Sequence, residues 1–149
     1  MTQNEFELLI SDTSKRITRD NTSSEDEDHS PSVEFRVGVE SDAGYPVFIR
    51  GSYNAAALTL TYALIHRGSG RICALDLGKD HHNPDCHFVG EKHKHRWKEA
   101  VRDKEAYVPA DITASVGDPV AVWKQFCEET KIQHAGKILP PPPQQLDLL

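Results

Sequence analysis

Five of the eight histidines crowd into the stretch from Asp80 to Lys104, at His81, His82, His87, His93 and His95, and chemistry is most readily built there. Imidazole titrates near neutrality, so it can act as acid, base or metal ligand at ordinary pH. His93 and His95 are two residues apart, which points both to one face if the segment is a strand. Asn83-Pro84-Asp85 is turn chemistry and sets His81 and His82 at the rim of a loop. Three uses of these residues compete. Cys86, His87, His93 and His95 are the right types for a metal, although no C-x-x-C or H-E-x-x-H framework accompanies them. His81, Asp85, His93 and His95 could instead work without a metal, cleaving RNA or binding phosphate beside Lys94 and Arg96. The third use is structural, with imidazoles bonding a long loop. It takes precedence at this level, so the expectation is an interaction protein rather than an enzyme, with no metal and no cofactor.

The same region is an island of positive charge. Glu91 to Lys104 carries six Lys or Arg against three acids, in a chain whose net charge is −6. Such a run is usually a solvated face. Here it could pair with the acidic stretch Glu25 to Asp28, or give weak nucleic-acid contact through Lys92 to Lys104. The overall acidity excludes a protein that coats DNA generically, which would be basic.

The elements that must position these residues follow from periodicity. Thr2-x-x-Glu5 is a capping box, and Phe6, Leu9, Ile10 and Ile17 recur at helical spacing, so a helix is expected from about 3 to 17. Residues 20 to 32 contain no apolar side chain and read as a solvated acidic linker. The period then changes to two. Val33, Phe35, Val37 and Val39 alternate with polar residues or glycine; Tyr45 to Arg50 returns; Leu58, Leu60, Tyr62 and Leu64 form a third strand; Arg71 to Leu77 forms a fourth after the turn Arg67-Gly68-Ser69-Gly70. Asp118-Pro119 is an N-cap with proline at the first helical position, and Val122, Trp123, Phe126 and Cys127 make one apolar stripe ending near Ile132. The expected fold is α+β, with an antiparallel meander of four to six strands, a helix at each end and a disordered proline-rich tail. The segments are 1–19 helix, 20–32 linker, 33–134 α+β domain and 135–149 tail.

At 149 residues with 38% hydrophobic content, the chain supports one ordinary core. No stretch is apolar enough to span a membrane, and the N-terminus has no signal-peptide pattern, so a cytoplasmic location without membrane contact is expected. Three cysteines, an odd count without paired spacing, suit a reducing compartment, with Cys73 and Cys127 expected in the core.

The chain ends Pro140-Pro-Pro-Pro-Gln-Gln-Leu-Asp-Leu-Leu149. Four prolines favour extended polyproline II and would hold the last residues away from the body. Gln145, Leu146, Asp147, Leu148 and Leu149 resemble the peptide by which bacterial proteins dock on the DNA polymerase sliding clamp, whose pattern is Q-L-[S/D]-L-F with Leu tolerated last. The resemblance implies that Gln145 fixes register, that the three leucines fill a preformed pocket, and that Asp147 faces water. Residues 57 to 132 resemble a second, uncharacterised family of small bacterial proteins, through His81, Asn83, Pro84, Asp85, His93, His95, Trp97, Tyr107 and Pro109. Cys86, Ala100 and Glu105 depart from that pattern. This second resemblance implies that His81, His93 and His95 share a site, but implies no activity. In size and motif type the chain also resembles the clamp-blocking toxin of a proteolytic toxin–antitoxin pair. The expected function is competition for the clamp, with a cognate antitoxin as a further partner. The alternative is a small nuclease-like enzyme centred on His81, His93 and His95 and tethered to the clamp.

A short anchored peptide of this kind is expected to bind a bacterial sliding clamp in the micromolar range, on the order of −8 kcal/mol. Titration calorimetry checks it: replacing Gln145, Leu148 and Leu149 together by alanine should abolish the heat, and unchanged binding would discard the motif.

Overall fold

The computed structural model describes residues 1–20, 24–25, 32–78, 83–84, 90 and 92–136. The capping box forms as the sequence dictates: Thr2 accepts from the Glu5 amide while the Glu5 carboxylate accepts from the Thr2 amide. Helix α1, Gln3–Ser11, is shorter than the periodicity predicts. The Ser11 hydroxyl turns back onto the Glu7 carbonyl, and Asp12 is extended and accepts from the Ser14 amide. Lys15 then ends the helix from outside. Its ammonium donates to the carbonyls of Leu9, Ile10 and Asp12 at 2.8, 3.1 and 2.6 Å, satisfying groups that helix ends leave open. Burial pushes the Lys15 amine down to about 8. Ile17 is fully buried, but in strand β1, Arg16–Ile17, rather than on the helix.

From Val33 onward the period-two pattern gives an antiparallel meander of six strands: β3 Val33–Val39, β4 Val47–Asn54, β5 Thr59–His66, β6 Gly70–Leu77, β7 Lys92–Arg96 and β8 Ala106–Tyr107. Strand β2, Ser24–Glu25, adds to the outer edge of β3, within the stretch read as linker; most of that stretch lies outside the described residues. Two strand boundaries differ from the expectation. Leu58 is not in β5: it has φ +53°, is half exposed and belongs to the turn after Asn54, whose side chain accepts from the Ala57 amide. Strand β4 starts after Pro46 and runs on to Asn54, through residues whose types suggest a turn. Gly51 is needed there because the Phe35 ring lies across it, and a Cβ would sit 2.2 Å from that ring.

Helix α2, Pro119–Thr130, begins at the expected cap, Asp118 accepting from the Ala121 amide at 3.2 Å. It covers the inner face of the sheet, where Trp123 meets Phe35, Tyr62 and Phe126 at ring distances of 5.6, 5.1 and 6.2 Å. Helix α1 belongs to the same core, with Phe6 stacked on Trp97 at 5.8 Å. Cys73 and Cys127 are buried, as expected. After α2 the chain forms β9, Gln133–His134, parallel to β1 in a separate two-stranded sheet. No helix among the described residues is long and apolar enough to cross a membrane.

Trp123 also donates through Nε1 to His134 Nδ1 at 3.0 Å, joining helix to β9. Trp123→Ala should therefore destabilise the fold by about 3–5 kcal/mol, the range for truncating a buried aromatic. Urea denaturation checks it, and a wild-type midpoint would contradict this packing.

Candidate functional site

In an antiparallel sheet, residues directly opposite one another share a face. Ser52, Thr61, Asp76 and His93 form one such row across β4 to β7, and Arg50, Ala63, Ala74 and His95 form the next. Both rows lie on the outer face, away from the two helices. His93 and His95 thus point the same way, as their spacing predicts.

Asp76 is the residue that sequence reasoning missed. It stands opposite His93, and its Oδ2 lies 3.1 Å from His93 Nε2 and 3.4 Å from His95 Nε2. Its other oxygen accepts from the Thr61 hydroxyl at 2.5 Å. All three residues are buried, between 2% and 6% exposed. The two imidazole rings meet edge-on at 5.0 Å. Their far nitrogens face backbone carbonyls: His93 Nδ1 lies 3.0 Å from Gly90 O, and His95 Nδ1 lies 2.6 Å from Asp103 O. A carbonyl can only accept, so each Nδ1 carries a proton and each Nε2 turns toward Asp76.

A bulge completes the site. Pairing shifts between Leu64 and Ile65, so that Leu64 faces Cys73 while Ile65 faces Arg71. Strict alternation from Cys73 would send Arg71 to the inner face; the extra residue turns it outward. Arg71 then ion-pairs with Asp103 at 2.8 Å and lies 3.9 Å from Asp76. Asp76, Thr61, Ser52, Arg71, Arg50 and Glu34 border a polar cavity of about 380 Å³ on this face. Arg36 and Arg67 flank Phe48 nearby, at 3.9 and 5.4 Å from its ring.

The other predicted site residues are distributed as follows. His81, Asp85, Cys86 and His87 lie outside the described residues, as do Gln145, Leu146, Asp147, Leu148 and Leu149. Asn83 brings the β6–β7 connection against β8: its side chain accepts from the Ala106 amide at 2.6 Å and donates to the Ala106 carbonyl at 2.9 Å, beside His95. The cationic run does not form one patch. Lys94 points inward and is fully buried, ion-paired with Glu129 of α2 and 3.5 Å from Asp111. Arg96 reaches Glu7 at 3.3 Å, and Lys98 reaches Glu105 at 3.0 Å. Burial pushes the Lys94 amine below its ordinary range.

Because Lys94 neutralises the partly buried Glu129, Lys94→Ala should leave that carboxylate with only the Tyr107 hydroxyl as donor and cost about 3 kcal/mol. Lys94→Met combined with Glu129→Leu should recover most of that loss. Equal destabilisation by the single and double variants, read from denaturation midpoints, would show that the pair does not govern this packing.

Neither the curated proteins nor the solved structures contain a match to this chain. Residues 1–132 match a family of unknown function, DUF6978, a span that holds both helices, the whole meander and the Asp76, His93 and His95 cluster. The chain belongs to the DUF6978 family.

Proposed function

We propose that the body of this protein is a hydrolase for phosphodiesters, nuclease-like, with Asp76, His93 and His95 as its reactive centre. The observation that carries this reading is the convergence of those three buried groups, of which Asp76 lines a polar cavity that Arg50 and Arg71 also border. Guanidinium groups match phosphate in geometry and charge, so the two arginines are suited to hold phosphoryl oxygens. Arg36 and Arg67 stand nearby, while Arg50 pairs with Glu34 at 3.6 Å and Arg71 with Asp103 at 2.8 Å, so a phosphate would compete with those carboxylates for the guanidinium groups. The reaction needs no redox partner. Water attacks phosphorus, the bond to the leaving oxygen breaks, and that oxygen takes up a proton. Thr61 holds Asp76 and is a positioning residue.

A second reading rests on the sequence of the tail. Four prolines followed by Gln145 to Leu149 suit a presented clamp-docking peptide, which would either address the hydrolase to replicating DNA or occlude the clamp without catalysis. An occluding protein needs only the tail; a tethered enzyme needs tail and histidines together.

Cleavage of labelled single-stranded DNA and RNA by purified protein tests the first reading. His95→Ala should lower kcat about 100-fold or more, the usual worth of a positioned acid or base. Arg50→Ala should raise KM about tenfold with kcat nearly intact, as expected when one charge-assisted contact is lost. Cleavage indifferent to both substitutions would discard the centre. In cells, growth inhibition that survives His93→Ala and His95→Ala but disappears without Gln145 to Leu149 would select occlusion.

A further inference from the structure

We infer that Asp76, His93 and His95 form a binding site for one first-row divalent cation, with zinc the best match. The inference deepens the reading above, since it supplies the same centre with a Lewis acid, but cation binding can be measured without catalysis. Two imidazole nitrogens and one carboxylate oxygen are the donor set of open catalytic zinc sites. The donor atoms Nε2, Nε2 and Oδ2 all lie within 4.8 Å of one another. Bonds of about 2.0–2.1 Å in a tetrahedron place donors about 3.3 Å apart; the two histidine-to-aspartate separations here are 3.1 and 3.4 Å.

The hydrogen bonds behind the donors point the same way. Metal-bound histidines characteristically donate their other ring nitrogen to a carbonyl or carboxylate, which fixes the tautomer. Gly90 O and Asp103 O do this for His93 and His95. Thr61 engages Asp76 Oδ1, so Oδ2 is the oxygen turned to the histidines. All three donors sit on paired strands, which holds their separations. Among the described residues, Arg71 is the nearest opposing charge, at 3.9 Å from Asp76, and Asp103 pairs with it. Three protein donors leave the fourth position of a tetrahedral ion to water, which zinc would activate as a nucleophile near neutral pH.

The test uses the full chain, stripped with a chelator and dialysed. Titration calorimetry with zinc chloride should show a single equivalent bound, and thermal melting should shift upward, because a ligand of the native state stabilises it. Cobalt(II) should give the visible absorption of a four- or five-coordinate ion. His93→Ala and His95→Ala should each weaken zinc binding by about 100-fold or more, whereas His66→Ala should not. Zinc bound equally well by His93→Ala and His95→Ala, or no stoichiometric binding by the wild type, overturns the site. Should the alanine variants fail to fold, X-ray absorption of the wild-type zinc adduct decides: two imidazoles support the site and none overturns it. Stoichiometric zinc without phosphodiester cleavage keeps the site and removes the proposed reaction. Cleavage by protein that binds no zinc keeps the reaction and removes the site.

Discussion

Strand β7 reads Lys-His-Lys-His-Arg, yet its three central residues are buried on both faces of the sheet. Groups of this kind are costly to remove from water unless each finds a partner. Asp76 supplies one for the histidines on the outer face, and Glu129 supplies one for Lys94 on the inner face. The two partnerships lock each other. A slip of one residue against β6 would present Lys94 to Asp76 and drive both histidines into the apolar layer under α2. The register of β6 on β7 therefore depends on polar pairing from both sides, and the candidate centre exists only in that register.

The inner layer does the complementary work. Both helices lie on that side, and their aromatic residues close over Phe35, Tyr62 and Trp97. Nothing among the described helices covers the rows that carry Arg50, Thr61, Asp76 and His93. An antiparallel sheet needs helices on only one face, and here the other face holds the polar groups, with Asp76, His93 and His95 themselves buried. Burial and chemistry are separated across a single layer of backbone, so core substitutions and site substitutions should be separable in experiment.

Much of this was legible in the chain. Alternation located β3 and the inward residues Leu60, Tyr62 and Leu64 of β5, the Asp118-Pro119 cap located α2, and the spacing of His93 and His95 gave their shared face. Other features depended on partners distant in sequence. Asp76 sits in a run whose neighbours Leu75 and Leu77 are core residues, and only pairing with β7 shows what it meets. Arg71 faces outward because of a bulge, which alternation cannot reveal. Helix α1 stops at Ser11 because Lys15 folds back onto its carbonyls, a contact that outweighs the apolar repeat ending at Ile17. The cationic run from Lys92 to Lys104 was visible as composition, but its division between two faces and several acidic partners was not.

The small parallel pair β1 and β9 has a mechanical consequence. The described residues end at Gly136, just after β9, where Gln133 and Ala135 donate to the carbonyls of Lys15 and Ile17 at 2.9 and 2.8 Å. His134 adds a bond from Nε2 to Arg19 O at 2.9 Å and holds Trp123 through its other nitrogen. Tension applied at Gly136 would thus load β9, then β1 and the indole of α2, before reaching any strand of the large sheet. A tether pulled from that end would strain the clasp and spare the geometry of Asp76, His93 and His95.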